Sequence, residues 1–154
     1  MQKSILVING PGFKDMDVGD SDHYGGITLP MIRNACEELC DELGVNLDFR
    51  QTEDPQELFT WIANSSSEAD AVVVNPVGYS RAKDMDFDSY CEAVYRLSKL
   101  KKPLVEVHLC NIYRHDADVP LPQHKPGGEM GFICGFGVDG YLLAIRSLAE
   151  KIKV

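Results

Sequence analysis

The chain has 154 residues, a length that fits one domain able to bury its own core. Apolar residues make up 44% and charged residues 25%, which is the balance of an ordinary globular protein. The net charge of −9 argues against nucleic acid or an anionic membrane as a partner, because both require clustered Lys and Arg. A small anionic substrate would need basic residues gathered near its site.

Five cysteines at irregular spacing, with no recognisable signal peptide or membrane-spanning run, predict a cytoplasmic protein with reduced thiols. Cys36 and Cys40 lie one helical turn apart, as two metal ligands could. No further ligands follow at zinc-like spacing, so core packing is the favoured interpretation and we expect no metal.

Apolar runs alternate with amphipathic segments along the chain. A strand at residues 5–8 is followed by a helix at 29–43, a strand at 45–50, a helix at 55–63 and a strand at 71–74. A helix at 84–97, strands at 104–108 and 130–134, and a helix at 139–152 complete the pattern. Repeated βα units predict a parallel sheet covered on both faces. We expect an α/β fold, a flavodoxin-like three-layer sandwich whose five-stranded parallel sheet has the order 2-1-3-4-5, in one domain over residues 1–154.

Two long irregular stretches are predicted at the carboxyl edge of this sheet. Residues 10–26 follow the first strand and residues 109–128 follow the fourth, and loops of such length usually act as lids or binding loops. Asn9, Asn75 and His108 each end or directly follow a predicted strand. We expect these three side chains to converge into one polar site at that edge.

The segment Glu106-Val107-His108 alternates as a strand does, which points both polar side chains to one face. A buried carboxylate beside a histidine can fix its tautomer and raise its basicity. The alternative interpretation is a salt bridge on an edge strand. An acidic residue inside an apolar strand is uncommon, which favours the functional interpretation.

Three further residues are candidates for the same edge. Tyr24, in the first loop, either packs against the rim or acts as a base, and a base would need a nearby cation to lower its pKa from about 10. Arg81 and Arg114 follow predicted strand ends and are either solvated charges or anion-binding groups.

The sequence GFGVDG at residues 135–140 fits the dinucleotide-binding pattern G-x-G-x-x-G. It opens the last predicted helix, and no later strand supplies the acidic residue expected about twenty positions on. A tight turn with close helix packing is therefore favoured, and we expect no nucleotide cofactor.

Three motifs together resemble the type II 3-dehydroquinate dehydratase family over nearly the whole chain. They are NGP at 9–11 followed by Tyr24-Gly25, EVHLCN at 106–111, and GFGVDGYLLAI at 135–145. The resemblance implies a hydro-lyase of the shikimate pathway that converts 3-dehydroquinate to 3-dehydroshikimate through an enolate, without metal or nucleotide. It also implies a homo-oligomer, a dodecamer built from trimers.

The resemblance also implies roles for single residues. Tyr24 matches the base that removes a proton next to the ketone, and Asn9 matches the asparagine that holds the enolate through a water. His108 matches the general acid, with Glu106 behind it.

Other positions match the contacts of the family with its substrate and with neighbouring subunits. Asn75 matches a substrate-binding asparagine. The backbone around Leu109 and Cys110 matches the segment that holds the substrate carboxylate, and Asp88 is a candidate for the intersubunit aspartate.

The chain departs from the family in its lid and in its cations. The family's lid arginine has no counterpart among residues 12–21, and Arg81 stands where the family usually carries a histidine. We expect Arg81 or Arg114 to supply the positive charge that a tyrosine base needs. Two alternatives stay open: a related lyase, hydratase or isomerase acting on another small carboxylic acid, and a non-catalytic ligand-binding relative.

Overall fold

The sheet has the predicted strand order. The computed structural model describes residues 2–13, 26–76, 86–112 and 130–153. The strands are β1 (Ser4–Asn9), β2 (Asn46–Gln51), β3 (Ala71–Asn75), β4 (Leu104–His108) and β5 (Met130–Cys134). The helices are α1 (Leu29–Leu43), α2 (Pro55–Asn64), α3 (Phe87–Lys99) and α4 (Val138–Ile152). All strand pairs are parallel and the order is β2-β1-β3-β4-β5, so the predicted α/β flavodoxin-like fold is confirmed. Within the described ranges, no helix is both long and apolar enough to cross a membrane.

Capping residues determine where the helices begin and end. The Thr28 hydroxyl accepts a hydrogen bond from the Met31 amide at the start of α1, and Gly44 ends the helix with a φ of 71°. The third helix begins at Phe87, later than predicted, because the Asp86 carboxylate caps it by accepting from the amides of Asp88 and Ser89. Residues 84–85 of the predicted helix lie outside the described residues.

The core consists of two layers, one on each face of the sheet. Val7 and Val73 pack against α1 and α4, whereas Ile8 and Val74 pack against α2 and α3. Because side chains alternate along a strand, odd positions of β1 and β3 face the α1/α4 layer and even positions face the α2/α3 layer. This parity decides where the polar residues at the strand ends point.

Cys36 and Cys40 both belong to the α1/α4 core layer, as the core-packing interpretation predicts. Burial, with smaller contributions from Cys40 and Glu37, raises the pKa of the Cys36 thiol to about 12. Burial, with a smaller contribution from Asp41, raises the pKa of the Cys40 thiol to about 11. Across the described ranges, no group of three or more His, Cys, Asp and Glu side chains could hold a metal ion.

Candidate active site

A cluster of three buried side chains joins the ends of β1 and β3 to helix α4. Asn9 and Asn75 are paired positions on neighbouring strands, and Tyr141 of α4 lies between them. The Tyr141 hydroxyl donates to Asn9 Oδ1 at 2.6 Å and accepts from Asn75 Nδ2 at 2.9 Å. Asn9 Nδ2 donates in turn to the main-chain carbonyl of Arg50 at 2.9 Å. We call Asn9, Asn75 and Tyr141 the amide cluster.

A second buried cluster lies at the end of β4. Glu106 Oε2 is 2.8 Å from His108 Nε2, and the Tyr90 hydroxyl of α3 donates to Glu106 Oε1. Glu106 is 0% exposed and His108 is 3% exposed, and the imidazole packs on Phe132 with ring centroids 5.6 Å apart. An ionised carboxylate only accepts hydrogen bonds, so it would bind the protonated form of Nε2. We call Tyr90, Glu106 and His108 the carboxylate–imidazole cluster.

The pairing of Glu106 with His108 agrees with the strand alternation that predicted it. The alternative interpretation, a salt bridge on an edge strand, is wrong because β4 lies between β3 and β5 and both side chains are buried. A buried carboxylate stabilises positive charge on the imidazole and fixes the ring nitrogen that it contacts. This arrangement is suited to proton transfer.

The predicted convergence of Asn9, Asn75 and His108 on one point is only partly right. The two asparagines meet through Tyr141 in the α1/α4 layer. On β4, Glu106 pairs with Val74, which belongs to the α2/α3 layer, and His108 shares the parity of Glu106. All three side chains therefore lie at the carboxyl edge, but His108 is on the opposite face of the sheet.

Two main-chain hydrogen bonds join the turn after β5 to the end of β4. Gly135 and Gly137 have φ values of 92° and 58°, a conformation that favours glycine. The Gly135 amide donates to the His108 carbonyl at 3.3 Å, and the Gly137 amide donates to the Leu109 carbonyl at 2.8 Å. These two amides bind the chain itself, as the tight-turn interpretation of the G-x-G-x-x-G sequence predicts.

Comparison with known proteins identifies the family. The family model described as "Dehydroquinase class II" matches residues 3–149. The chain is a member of the class II dehydroquinase family. A 3-dehydroquinate dehydratase of Mesorhizobium japonicum is 33% identical over 150 residues, which cover 97% of this chain and 99% of that relative. One from Brucella canis is also 33% identical, over 99% of this chain and 92% of its own length. The predicted membership in a family of hydro-lyases is confirmed.

Solved structures agree with the fold of a class II dehydroquinase. A type II dehydroquinase from Propionibacterium acnes superposes with a TM-score of 0.78 at 29% identity and covers 97% of this chain and 98% of that one. The type II dehydroquinase from Butyrivibrio crossotus has a TM-score of 0.81 over 96% of this chain and 97% of that one, and its 23% identity supports the fold alone.

The remaining predicted site residues divide into two groups. Tyr24, Arg81 and Arg114 lie outside the described residues, so their predicted places stay predictions. Leu109 directly follows the end of β4 in the chain and is buried, and Cys110 next to it is half-buried. Asp88 is exposed in the first turn of α3.

Two tyrosines of the clusters, Tyr90 and Tyr141, were not predicted from the sequence. Each sits on the buried face of its helix, and its hydroxyl reaches the end of a strand. A signal was available for Tyr141, which leads the apolar series Tyr141, Ala144, Ile145 and Leu148 at helical spacing. A tyrosine on a buried helix face needs a partner for its hydroxyl, and polar residues at strand ends are the natural source.

Proposed function

We propose that this class II dehydroquinase dehydrates 3-dehydroquinate, a small anionic acid, to 3-dehydroshikimate. Two curated relatives that are 33% identical over nearly the whole chain are 3-dehydroquinate dehydratases. The structural observation that carries the proposal is the buried contact between Glu106 and His108 at the carboxyl end of β4. Loss of water from a hydroxy-ketone needs a proton donor for the departing hydroxyl, and a carboxylate-held imidazole suits that task.

The proposed reaction has two proton transfers on opposite sides of one enolate. The Tyr24 phenolate removes the proton next to the ketone, and the electron pair of the broken C–H bond moves to the ketone oxygen. Asn9 holds that oxygen through a water. When the enolate collapses, the C–O bond breaks, the hydroxyl takes a proton from His108 and leaves as water, and a conjugated enone remains. Proton exchange with solvent then resets both residues.

Glu106 would decide which nitrogen of His108 delivers the proton. Its Oε2 contacts Nε2, so the acidic proton would be carried on Nδ1. The carboxylate also stabilises the positive charge that the ring carries before transfer. Tyr90 holds the other carboxylate oxygen and so fixes the orientation of Glu106.

Substrate binding would use groups at and after the end of β3 and groups of both long loops. Asn75 would bind a substrate hydroxyl, and the backbone at Leu109 and Cys110 would hold the carboxylate. Arg81 or Arg114 would replace the family's lid arginine beside Tyr24, because a phenolate base needs a neighbouring positive charge.

The assembly proposed is a dodecamer built from trimers, in which Asp88 reaches a neighbouring subunit. Support comes from its exposed position in the first turn of α3. Light scattering coupled to size exclusion should give the mass of a dodecamer of 17.1 kDa chains. A monomer at micromolar concentration would contradict this part of the proposal.

The decisive experiment mixes the purified chain with 3-dehydroquinate and follows the ultraviolet absorbance of the conjugated enone. We expect a turnover above roughly 1 s⁻¹, inside the ordinary range of enzymes. The variant His108→Gln should lose about 10²–10⁴-fold in kcat because the proton donor is gone. As a matched control, Tyr95→Phe changes a tyrosine that lies against Lys99 on α3 and should keep the rate. A folded chain that gives no absorbance change would refute the proposal.

A second candidate is a hydro-lyase or isomerase acting on a different small carboxylic acid. The observation that favours it is the absence of arginine from residues 12–21, together with Arg81 at the family's histidine position. A guanidinium adds donors and a fixed charge, which suits a ligand with another carboxylate. Proton-to-deuterium exchange next to the ketone of offered keto acids would detect such catalysis. Binding without any exchange would instead indicate a non-catalytic relative.

A further inference from the structure

Hydrogen bonds hold the first residues of the loop that follows β1. The Gly10 amide donates to the Asn75 carbonyl at 2.8 Å, and the Gly12 amide donates to Glu53 Oε2 at 2.8 Å. Pro11 between them has no N–H group. Every main-chain donor from Gly10 to Gly12 therefore has an acceptor, and Glu53, in the segment between β2 and α2, supplies one of the two.

The bond to Glu53 lies where the chain turns into the core. Gly12 has a φ of 111°, a backbone conformation that favours glycine. Phe13, directly after it, is 2% exposed and packs in the α1/α4 core layer, to which Tyr141 of the amide cluster also belongs. The chain thus enters the loop on the face of the sheet that carries the amide cluster, and the contact with Glu53 holds the turn by which it does so.

We propose that Glu53 is a positioning residue for the dehydration, because its carboxylate holds the start of the loop that carries Tyr24. The inference rests on the proposed function and deepens it by naming a residue that places the proposed base. The alternative is a solvated surface charge. Against that alternative stands a second contact of the same oxygen, since Gln51 Nε2 donates to Glu53 Oε2 at 2.8 Å. One oxygen of Glu53 thus joins the end of β2 to Gly12.

Substitutions can separate the acceptor of Glu53 from its charge, because both contacts converge on one oxygen. Glu53→Gln keeps a carbonyl oxygen at the same reach, which can accept from both Gly12 and Gln51. Glu53→Asp keeps the charge but is one methylene shorter, and Glu53→Ala removes the acceptor. A positioning role predicts that Glu53→Gln retains what the other two variants lose. A role of the charge alone predicts that Glu53→Asp is the better variant.

Steady-state rates with 3-dehydroquinate test this order. We expect kcat to fall about tenfold in Glu53→Ala and Glu53→Asp, the effect of losing one hydrogen bond to a charged group, and KM to change less. Glu53→Gln should restore most of kcat. The control Glu57→Ala removes an exposed carboxylate from the first turn of α2 and should leave both constants unchanged. A folded Glu53→Ala with unchanged kcat, or a Glu53→Gln no more active than Glu53→Ala or Glu53→Asp, would overturn the proposal.

Hydrogen exchange at the Gly12 amide, followed by mass spectrometry of short peptides, gives a readout that needs no catalysis. Although Gly12 is exposed, its amide should be protected in the unmodified chain. Exchange should quicken about tenfold in Glu53→Ala but not in Glu53→Gln. Equal exchange rates in the three proteins would overturn the positioning role. A protected Gly12 amide in a chain that leaves 3-dehydroquinate unchanged would refute the proposed function, while the hold of Glu53 on the loop stands.

Discussion

The amide cluster and the carboxylate–imidazole cluster occupy the same edge of the sheet but hold their geometry differently. The amide cluster is neutral, and in it Asn9 donates to the Arg50 carbonyl and accepts from the Tyr141 hydroxyl. The other cluster is arranged around the buried carboxylate of Glu106, which accepts from Tyr90 and contacts His108. A neutral buried group that loses a partner costs about 1–3 kcal/mol, whereas breaking a buried charged pair costs about 3–5 kcal/mol. Substitutions in the carboxylate–imidazole cluster should therefore cost more stability than substitutions in the amide cluster.

The largest effect should come from removing the carboxylate. Glu106→Ala leaves the Tyr90 hydroxyl and the His108 imidazole without their shared partner in a buried site. We expect the free energy of unfolding to fall by about 3 kcal/mol and dehydration of 3-dehydroquinate to be lost. Urea denaturation and the absorbance assay measure the two effects.

Glu92→Ala is the matched control for that variant. Glu92 forms an exposed i,i+4 ion pair with Arg96 at 3.3 Å on α3, and its loss should cost less than about 0.5 kcal/mol. Equal losses of stability in Glu106→Ala and Glu92→Ala would show that the carboxylate–imidazole cluster depends no more on its carboxylate than an exposed ion pair does.

A smaller but pH-dependent effect is expected when a charge enters the amide cluster. Asn9→Asp places a carboxylate oxygen against the Arg50 carbonyl, which also only accepts. We expect a loss of about 2 kcal/mol at pH 7. Burial would raise the pKa of this carboxyl above its unfolded value, so the loss should shrink as the pH falls and the group is protonated.

Denaturation of Asn9→Asp between pH 4 and 8 measures this dependence. Asn46→Asp, at the exposed start of β2, makes the same chemical change outside the cluster and should cost less than about 0.5 kcal/mol at every pH. A stability loss for Asn9→Asp that does not vary with pH would contradict the described orientation of the Asn9 amide.

Tyr90→Phe should have a more modest effect than the first two changes. It removes one of the hydrogen bonds to Glu106 and leaves the contact with His108 in place. We expect a loss of about 1–2 kcal/mol in stability and a several-fold fall in kcat, with KM less affected. Thermal denaturation and initial rates test both, and a rise in KM with unchanged kcat would contradict the role given to Tyr90.

The smallest effect at neutral pH concerns the core layer beneath the amide cluster. The folded state raises the pKa of Cys36 from 9.0 to about 12, so it binds the thiol proton more tightly than the unfolded chain does. The protonated Cys36 thiol therefore makes its full contribution to the free energy of unfolding below pH 9, and this contribution is lost as the pH rises towards 12. Between these values, the unfolding free energy of Cys36→Ala should decline less steeply with pH. If the unfolding free energies of the unmodified chain and of Cys36→Ala declined in parallel, the raised pKa of Cys36 would be refuted as the cause.

Local patterns in the sequence were enough to predict the fold and one contact of the site. Apolar runs and helical periods predicted the strand order, and the alternation within Glu106-Val107-His108 predicted their contact. The predicted convergence of His108 with the asparagines was only partly right, because the face to which a strand end points depends on register with its neighbour. Asn9 pairs with Asn75, but Glu106 pairs with Val74, and no local pattern contains that register. Tyr90 and Tyr141 depend on how helices dock across the sheet, which periodicity does not specify.

The contact between Tyr141 and Asn9 joins residues 132 positions apart in the chain. During synthesis, β1 and β3 can pair long before α4 leaves the ribosome, and the two amides then have no hydroxyl between them. The carboxyl edge of the sheet therefore reaches its final geometry only when the last helix docks. A chain interrupted before α4 would lose this hydroxyl and the Gly135 and Gly137 contacts to β4 together, so incomplete products should be unable to bind substrate correctly.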